Sequence, residues 1–164
     1  MPVGVLLKAQ LPCVQDKDWA QLLQACMFKG GNSKMNARVT YRGSCHCGRV
    51  SFELDAKLDY VMECSCSLCR RVGALWHGAS DASLRITAGE DELTLYQFNT
   101  MTAKHYFCRR CGVHPFSRPR LDPGRWAVNV RCIEGVDLAS LALRRFDGAN
   151  WEEAAKSLYA QRRQ

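Results

Sequence analysis

The sequence predicts a small, mainly β domain held together by metal, and three observations predict it. Short apolar–polar alternations recur along the middle of the chain. Turn-forming residues separate them at close spacing. Seven of the ten cysteines fall into three tight clusters. Alternation with a period of two is the mark of a half-buried strand. Thiol clusters that bind metal staple a domain whose core is modest.

Taken in chain order, the first segment is helical rather than β. Trp19, Leu22, Leu23, Cys26 and Met27 recur at i, i+3, i+4, i+7 and i+8, one face of an amphipathic helix. Asp16 or Asp18 caps its start and Gly30-Gly31 ends it, before a polar linker at Asn32-Ser33-Lys34. Three readings stand: a docking helix, a peripheral extension, or an upstream start codon with Met35 as the true initiator. Cys13 and Cys26 are read as ordinary small apolar residues.

From Asn36 the pattern turns β. Strands are expected at Val39–Arg42, Arg49–Leu54, Leu58–Glu63, Leu84–Thr87, Leu93–Phe98, Lys104–Phe107, Arg125–Ile133 and Leu141–Phe146. In the seventh, Trp126, Val128, Val130 and Cys132 share one face against Asn129 and Arg131, which makes Cys132 a strand core residue. Gly89-Glu90-Asp91, Pro119, Asp122-Pro123-Gly124 and Asp147-Gly148 supply turns. A last helix starts at Trp151, with Asn150 as its cap and Glu153 three residues on. The expected organisation is an extension over residues 1–35, the metal-bound domain over 36–152, and a basic C-terminal helix or tail over 153–164.

Composition excludes several function classes. The 164 residues are 47% hydrophobic and 24% charged, the usage of a soluble domain. No apolar run approaches the ~18 residues of a membrane span. Of the net charge of +7, residues 41–152 contribute only +2, so a basic groove for nucleic acid is not expected. The start has a five-residue apolar stretch, Val3 to Leu7, with no basic segment before it. Gln10-Leu11-Pro12-Cys13 lacks the small residue of a lipoprotein site. A cytoplasmic protein is expected, and there cysteines serve metal or catalysis rather than disulfides.

The clusters are Cys45-His46-Cys47-Gly48, Cys64-Ser65-Cys66-Ser67-Leu68-Cys69 and Cys108-Arg109-Arg110-Cys111-Gly112. A C-x-C or C-x2-C turn presents two thiolates from one hairpin end, and two such turns close a tetrahedral site. Cys45, Cys47, Cys108 and Cys111 form the natural set of four. Cys64, Cys66 and Cys69 then remain, and three ligands from one loop leave a position open, as catalytic zinc sites do. The alternatives are a closed second site completed by His46, His77, His105 or His114, and iron–sulfur ligation.

With these motifs the chain resembles the glutathione-dependent formaldehyde-activating enzymes, a family with centromere protein V as a eukaryotic relative. The matching pieces are residues 41–48 (Tyr-Arg-Gly-Ser-Cys-His-Cys-Gly), 64–70 (Cys-Ser-Cys-Ser-Leu-Cys-Arg), 107–114 (Phe-Cys-Arg-Arg-Cys-Gly-Val-His) and 146–152 (Phe-Asp-Gly-Ala-Asn-Trp-Glu). The resemblance implies a β-tent, with coiled antiparallel sheets gathered around zinc. It implies two zinc ions: a structural one on Cys45, Cys47, Cys108 and Cys111, and a catalytic one on Cys64, Cys66 and Cys69. It also implies the reaction, a carbon–sulfur lyase run in the synthetic direction. Glutathione and formaldehyde give S-(hydroxymethyl)glutathione, a detoxification step. The N-terminal extension and the short C-terminal end depart from the enzymes named for this activity.

Glutathione carries two carboxylates, which arginine recognises in bidentate fashion. Arg70 and Arg71, directly after the open site, are the candidates. Arg109 and Arg110 lie in the second C-x2-C turn. The competing reading makes all four solvated charges that offset thiolate charge. Trp76 and His77 line the pocket, or Trp76 is core. His114 either supports a zinc ligand or is a hydrogen-bonded strand histidine. Two further function classes stay open: a non-catalytic zinc-stapled binding module, and a carrier of zinc or of a thiol.

Overall fold

In a computed structural model, residues 38–161 are described. The amphipathic helix expected between Asp16 and Gly31 lies outside them. The described residues form ten strands, β1 (Val39–Ser44), β2 (Ser51–Ala56), β3 (Tyr60–Cys64), β4 (Leu75–Ala79), β5 (Leu84–Ala88), β6 (Leu93–Tyr96), β7 (Lys104–Cys108), β8 (Phe116–Arg118), β9 (Trp126–Asn129) and β10 (Ala142–Phe146). A four-residue helix, α1 (Cys69–Val72), follows β3, and α2 (Trp151–Gln161) closes the described chain. The fold is mainly β, as the alternation predicts.

The strands make two sheets, one in the order β1-β2-β5 and a seven-stranded one in the order β10-β3-β4-β9-β8-β7-β6. All pairings are antiparallel except β10 with β3. Phe52 of β2 meets Phe116 of β8 edge-on, with ring centroids 4.9 Å apart. Val50, Leu54, Leu58, Val61, Val128 and Val130 fill the core around that contact. Burial of such side chains contributes about 1.5–3 kcal/mol each.

Register sorts the large sheet into two faces, because residues directly opposite in a pair point the same way. One row runs His77, Val128, Phe116, Tyr106, Leu95 and meets the main core. The other face carries the row Gly78, Ala127, Ser117, His105, Tyr96 and, two residues along, Met62, Trp76 and Asn129. The second face looks onto the loop that follows β3. His77 and Trp76 therefore do not share a pocket wall. His77 is buried with its Nδ1 3.1 Å from the Tyr60 carbonyl.

The strand expected over 125–133 is shorter than its alternation suggests. It ends at Asn129, and Val130–Cys132 form a 3-10 turn. Asn129 Oδ1 accepts from the Arg131 backbone N–H at 3.2 Å, the local competition that asparagine offers to a ladder. Cys132 is consequently a half-buried turn residue rather than a strand core residue. At the other end, Asp147 caps the 3-10 turn Gly148–Asn150 that leads into α2, its side chain accepting the Asn150 N–H. Arg120 stacks over Trp151 at 3.7 Å and Tyr159 donates to the Leu121 carbonyl at 2.8 Å, fastening α2 to the loop between β8 and β9.

Candidate metal centres

Two thiol groups assemble from the three clusters. Cys45 and Cys47 sit in the β1–β2 turn, Cys108 ends β7, and Cys111 lies in the turn after it. Their four sulfurs all lie within 4.8 Å of one another. Cys45 and Cys47 are 3.5 Å apart, Cys47 and Cys108 3.7 Å. Those separations are far beyond a disulfide and close to the roughly 3.8 Å edge of a tetrahedron with ~2.3 Å zinc–sulfur bonds. The group fits a metal ion. Each turn is tightened from its own backbone: the Gly48 N–H donates to the Cys45 carbonyl at 3.0 Å and the Gly112 N–H to the Cys108 carbonyl at 2.8 Å. Gly48 and Gly112 both have φ above +70°, which explains glycine after each pair.

The second group is Cys64, Cys66 and Cys69, again with sulfurs within 4.8 Å of one another. Cys64 ends β3, Cys69 opens α1, and the Cys69 N–H points at Cys66 Sγ at 3.4 Å. Among the described residues no histidine or carboxylate joins this group, and His46, His77, His105 and His114 are all described. Trp76, Ala74 and Ala127 pack against it as a small apolar wall. The two other thiols donate toward Cys66, Cys64 foremost, and hold it far below the ordinary thiol range. Cys64 is itself pushed up to about 11, chiefly by that same contact with Cys66.

The loop is positioned from the far end of the chain. Ser65 N–H donates to the Phe146 carbonyl at 3.1 Å, Ser65 Oγ to Asp147 Oδ1 at 2.9 Å, and the Ala149 N–H to Ser65 Oγ at 3.2 Å. The Asn150 amide and Ser65 hold the Asp147 carboxyl below its usual range. Residues 146–150 are the socket of the three-cysteine loop.

The model of the family described as glutathione-dependent formaldehyde-activating enzyme matches residues 40–143. The chain belongs to that family. Within it, a Halomonas elongata protein provisionally named a glutathione-dependent formaldehyde-activating enzyme is 30% identical over 97 residues, 46% of this chain and 62% of that relative. The match therefore spans less than two thirds of the relative's length. A crystal structure of a Rhodobacter sphaeroides protein superposes with a TM-score of 0.58 at 41% identity, covering 63% of this chain and 99% of that one. Both thiol groups of this family member lie inside the matched stretch.

The arginines divide. Arg109 and Arg110 are engaged by Glu92 at 2.7 and 3.4 Å. Arg71 donates to the Ser67 carbonyl within its own loop at 2.5 Å. Arg70 is exposed beside the three-cysteine group. His114 lies outside any strand, between the C-x2-C turn and β8, and its ring has no hydrogen-bond partner among the described residues. It is not the hydrogen-bonded strand histidine of the sequence reading. Its ring stacks on Phe107 at 4.2 Å and meets Trp76 edge-on at 4.9 Å. A cleft of about 570 Å³ bordered by Leu95, Lys104, Tyr106, Arg118 and Trp126 is on the other face of the sheet and has no cysteine in its wall.

Sequence reasoning missed two participants. Asn129 ties the site together: its Oδ1 accepts the Leu75 N–H at 3.3 Å and its Nδ2 donates to the His114 carbonyl at 3.0 Å. Gly148 is the other, read as a mere turn. An asparagine on the polar side of an otherwise apolar strand was the available signal. For Gly148 the signal was its place in the matching piece 146–152.

Proposed function

We propose that this protein is a zinc-dependent carbon–sulfur lyase of the S-(hydroxymethyl)glutathione synthase type. It joins glutathione, or a related thiol, to formaldehyde or a similar small aldehyde. The observation that carries this reading is the three-cysteine group: three sulfurs gathered from one loop, with no fourth protein ligand among the described residues. The four-cysteine group is the structural site and cross-links hairpins 61 residues apart in sequence.

Zinc on Cys64, Cys66 and Cys69 would supply the charge that lets a thiol be held as thiolate near neutral pH, the form that attacks a carbonyl. The chain's own part is to aim the three sulfurs to one side and to wall the site with Trp76. The Ser65–Asp147–Gly148 socket fixes the loop. Arg70, exposed directly after Cys69, and Arg71 beside it are the partners for a carboxylate of glutathione in a bidentate contact, Arg71 on leaving the Ser67 carbonyl.

The experiment is direct. Zinc-loaded protein mixed with glutathione and carbon-13 formaldehyde is followed by exchange NMR, which reports the interconversion of free and adduct formaldehyde. Exchange faster than with free glutathione, abolished by Cys66→Ser, supports the lyase. Exchange at the uncatalysed rate reclassifies the protein as a thiol carrier or zinc-stapled binding module.

A further inference from the structure

Glutathione, the thiol of the proposed reaction, carries a carboxylate at each end, and only the γ-glutamyl one has an ammonium group beside it. The glycine carboxylate is a lone anion. Reading it takes a guanidinium that is held in place and has no acid of its own.

Arg131 meets both conditions. It is an exposed residue of the 3-10 turn Val130–Cys132, directly after β9. Its Nε donates to the Gly73 carbonyl at 2.7 Å. Gly73 ends α1, and its own N–H donates to the Cys69 carbonyl at 2.9 Å. Two hydrogen bonds therefore lead from the guanidinium to a member of the three-cysteine group. The Arg131 backbone N–H is held in turn by Asn129 Oδ1 at 3.2 Å. Asn129 lies directly opposite Trp76 in the β4–β9 pair, on the sheet face that looks onto the metal loop.

The anchor to Gly73 uses one of the five N–H donors of a guanidinium. The donors on Nη1 and Nη2 have no acceptor and no ion pair among the described residues. The other arginines beside the thiol groups are placed differently. Arg71 is turned onto the Ser67 carbonyl, and Arg109 and Arg110 onto Glu92. Arg70 is exposed and has no such anchor among the described residues. The distance also suits a tripeptide. Gly73 follows Cys69 by one helical turn, about 6 Å along the axis at ~1.5 Å per residue. Three extended residues span about 10 Å, so a glutathione whose sulfur sits at the three cysteines reaches Gly73 with an end carboxylate.

We infer that Arg131 binds the glycine carboxylate of glutathione, its two Nη groups closing on both oxygens while Nε stays on the Gly73 carbonyl. Arg131 thereby selects thiols that carry a carboxylate on the residue after the thiol-bearing one. This role rests on the reading of the three-cysteine site as a thiol site. A purely structural arginine, holding the end of α1, would use the Nε bond alone and leave the charge of the ligand unread.

The test reads the carboxylate rather than the fold. Zinc-loaded full-length protein is titrated calorimetrically with glutathione and with its glycine monoethyl ester, which keeps the thiol and loses that one charge. Wild type should bind glutathione about tenfold more tightly than the ester. In Arg131→Gln, whose side-chain amide can still donate to Gly73, the ratio should fall to about one. Chelator titration should find the metal affinity of the three-cysteine group unchanged. Where the glutamine variant fails to fold, Arg131→Lys keeps the charge without the fork, and its ratio should fall to roughly threefold or less. Equal binding of the two ligands by wild type, or the wild-type ratio kept by a folded variant, overturns the role of Arg131 and leaves the thiol site standing. Weaker metal binding with both ligands weakened alike marks a purely structural arginine and overturns it too. Failure of wild type to bind glutathione overturns the thiol site and this inference with it.

Discussion

Gly148 lies directly against Cys64: a Cβ built on Gly148 would stand 2.5 Å from Cys64 Sγ and 2.9 Å from the Cys66 backbone nitrogen. The parallel pairing of β10 with β3, in register from Ala142↔Tyr60 to Phe146↔Cys64, brings the two together. A single hydrogen in place of a methyl thus lets the C-terminal segment hold the metal loop from behind.

Gly148→Ala is expected to displace that loop. Metal affinity of the three-cysteine group should fall on the order of 10–100-fold, as happens when residues supporting a ligand are lost. The four-cysteine group should be untouched. Competitive chelator titration resolves the two ions, and two unweakened ions would contradict the socket.

The two thiol groups should also separate by their effect on folding. Cys111→Ser breaks a site that joins the β1–β2 turn to the end of β7, so a loss on the order of 4 kcal/mol is expected. Cys66→Ser removes a ligand from a site closed within six residues of chain. It should lose one metal ion and cost roughly 1–2 kcal/mol. Chemical denaturation with metal analysis of each variant checks both.

Much of this was legible in the sequence because the signals were local. Alternation in Val50, Phe52 and Leu54 marks β2, and the cysteine spacings mark both groups. β4 and β8 were not anticipated. Leu75–Ala79 holds Trp, His and Gly, with no clean alternation, and Phe116–Arg118 is three residues beside prolines. Both are central strands whose state is set by their neighbours rather than by propensity. The long strand over 125–133 failed because the Asn129 side chain captured its own backbone. Within the site, the two cysteine groups could be read from spacing. The role of Asn129 depends on strand register, and no short window of sequence carries that.

His114 gives the fold an acid limit. Burial, aided by His105, holds its pKa at about 4, against 6.5 for the ordinary side chain. Between those values the unfolded chain takes up a proton that the folded chain refuses. Stability is therefore complete above pH ~6.5 and falls by roughly 3 kcal/mol toward pH 4 on account of this residue. His114→Phe should remove about one proton from the difference in pH dependence. Parallel denaturation curves of the two proteins from pH 7 to 5 measure it.

Cysteines outside the two groups should be dispensable for metal. Burial raises the Cys132 thiol to about 12, which keeps it protonated and a poor ligand. A Cys13→Ser, Cys26→Ser, Cys132→Ser variant should retain two zinc ions per chain by metal analysis. Loss of an ion would show the ligand sets to be wrongly divided.

The central claim is that Cys64, Cys66 and Cys69 together form an open site for a thiol. Ophthalmic acid, which has a methyl where glutathione has its thiol, separates that claim from recognition of the peptide alone. Zinc-loaded protein titrated calorimetrically with each should bind glutathione one to one and ophthalmic acid at least about 100-fold more weakly, a difference of some 2.7 kcal/mol. Equal binding of the two would contradict the open thiol site.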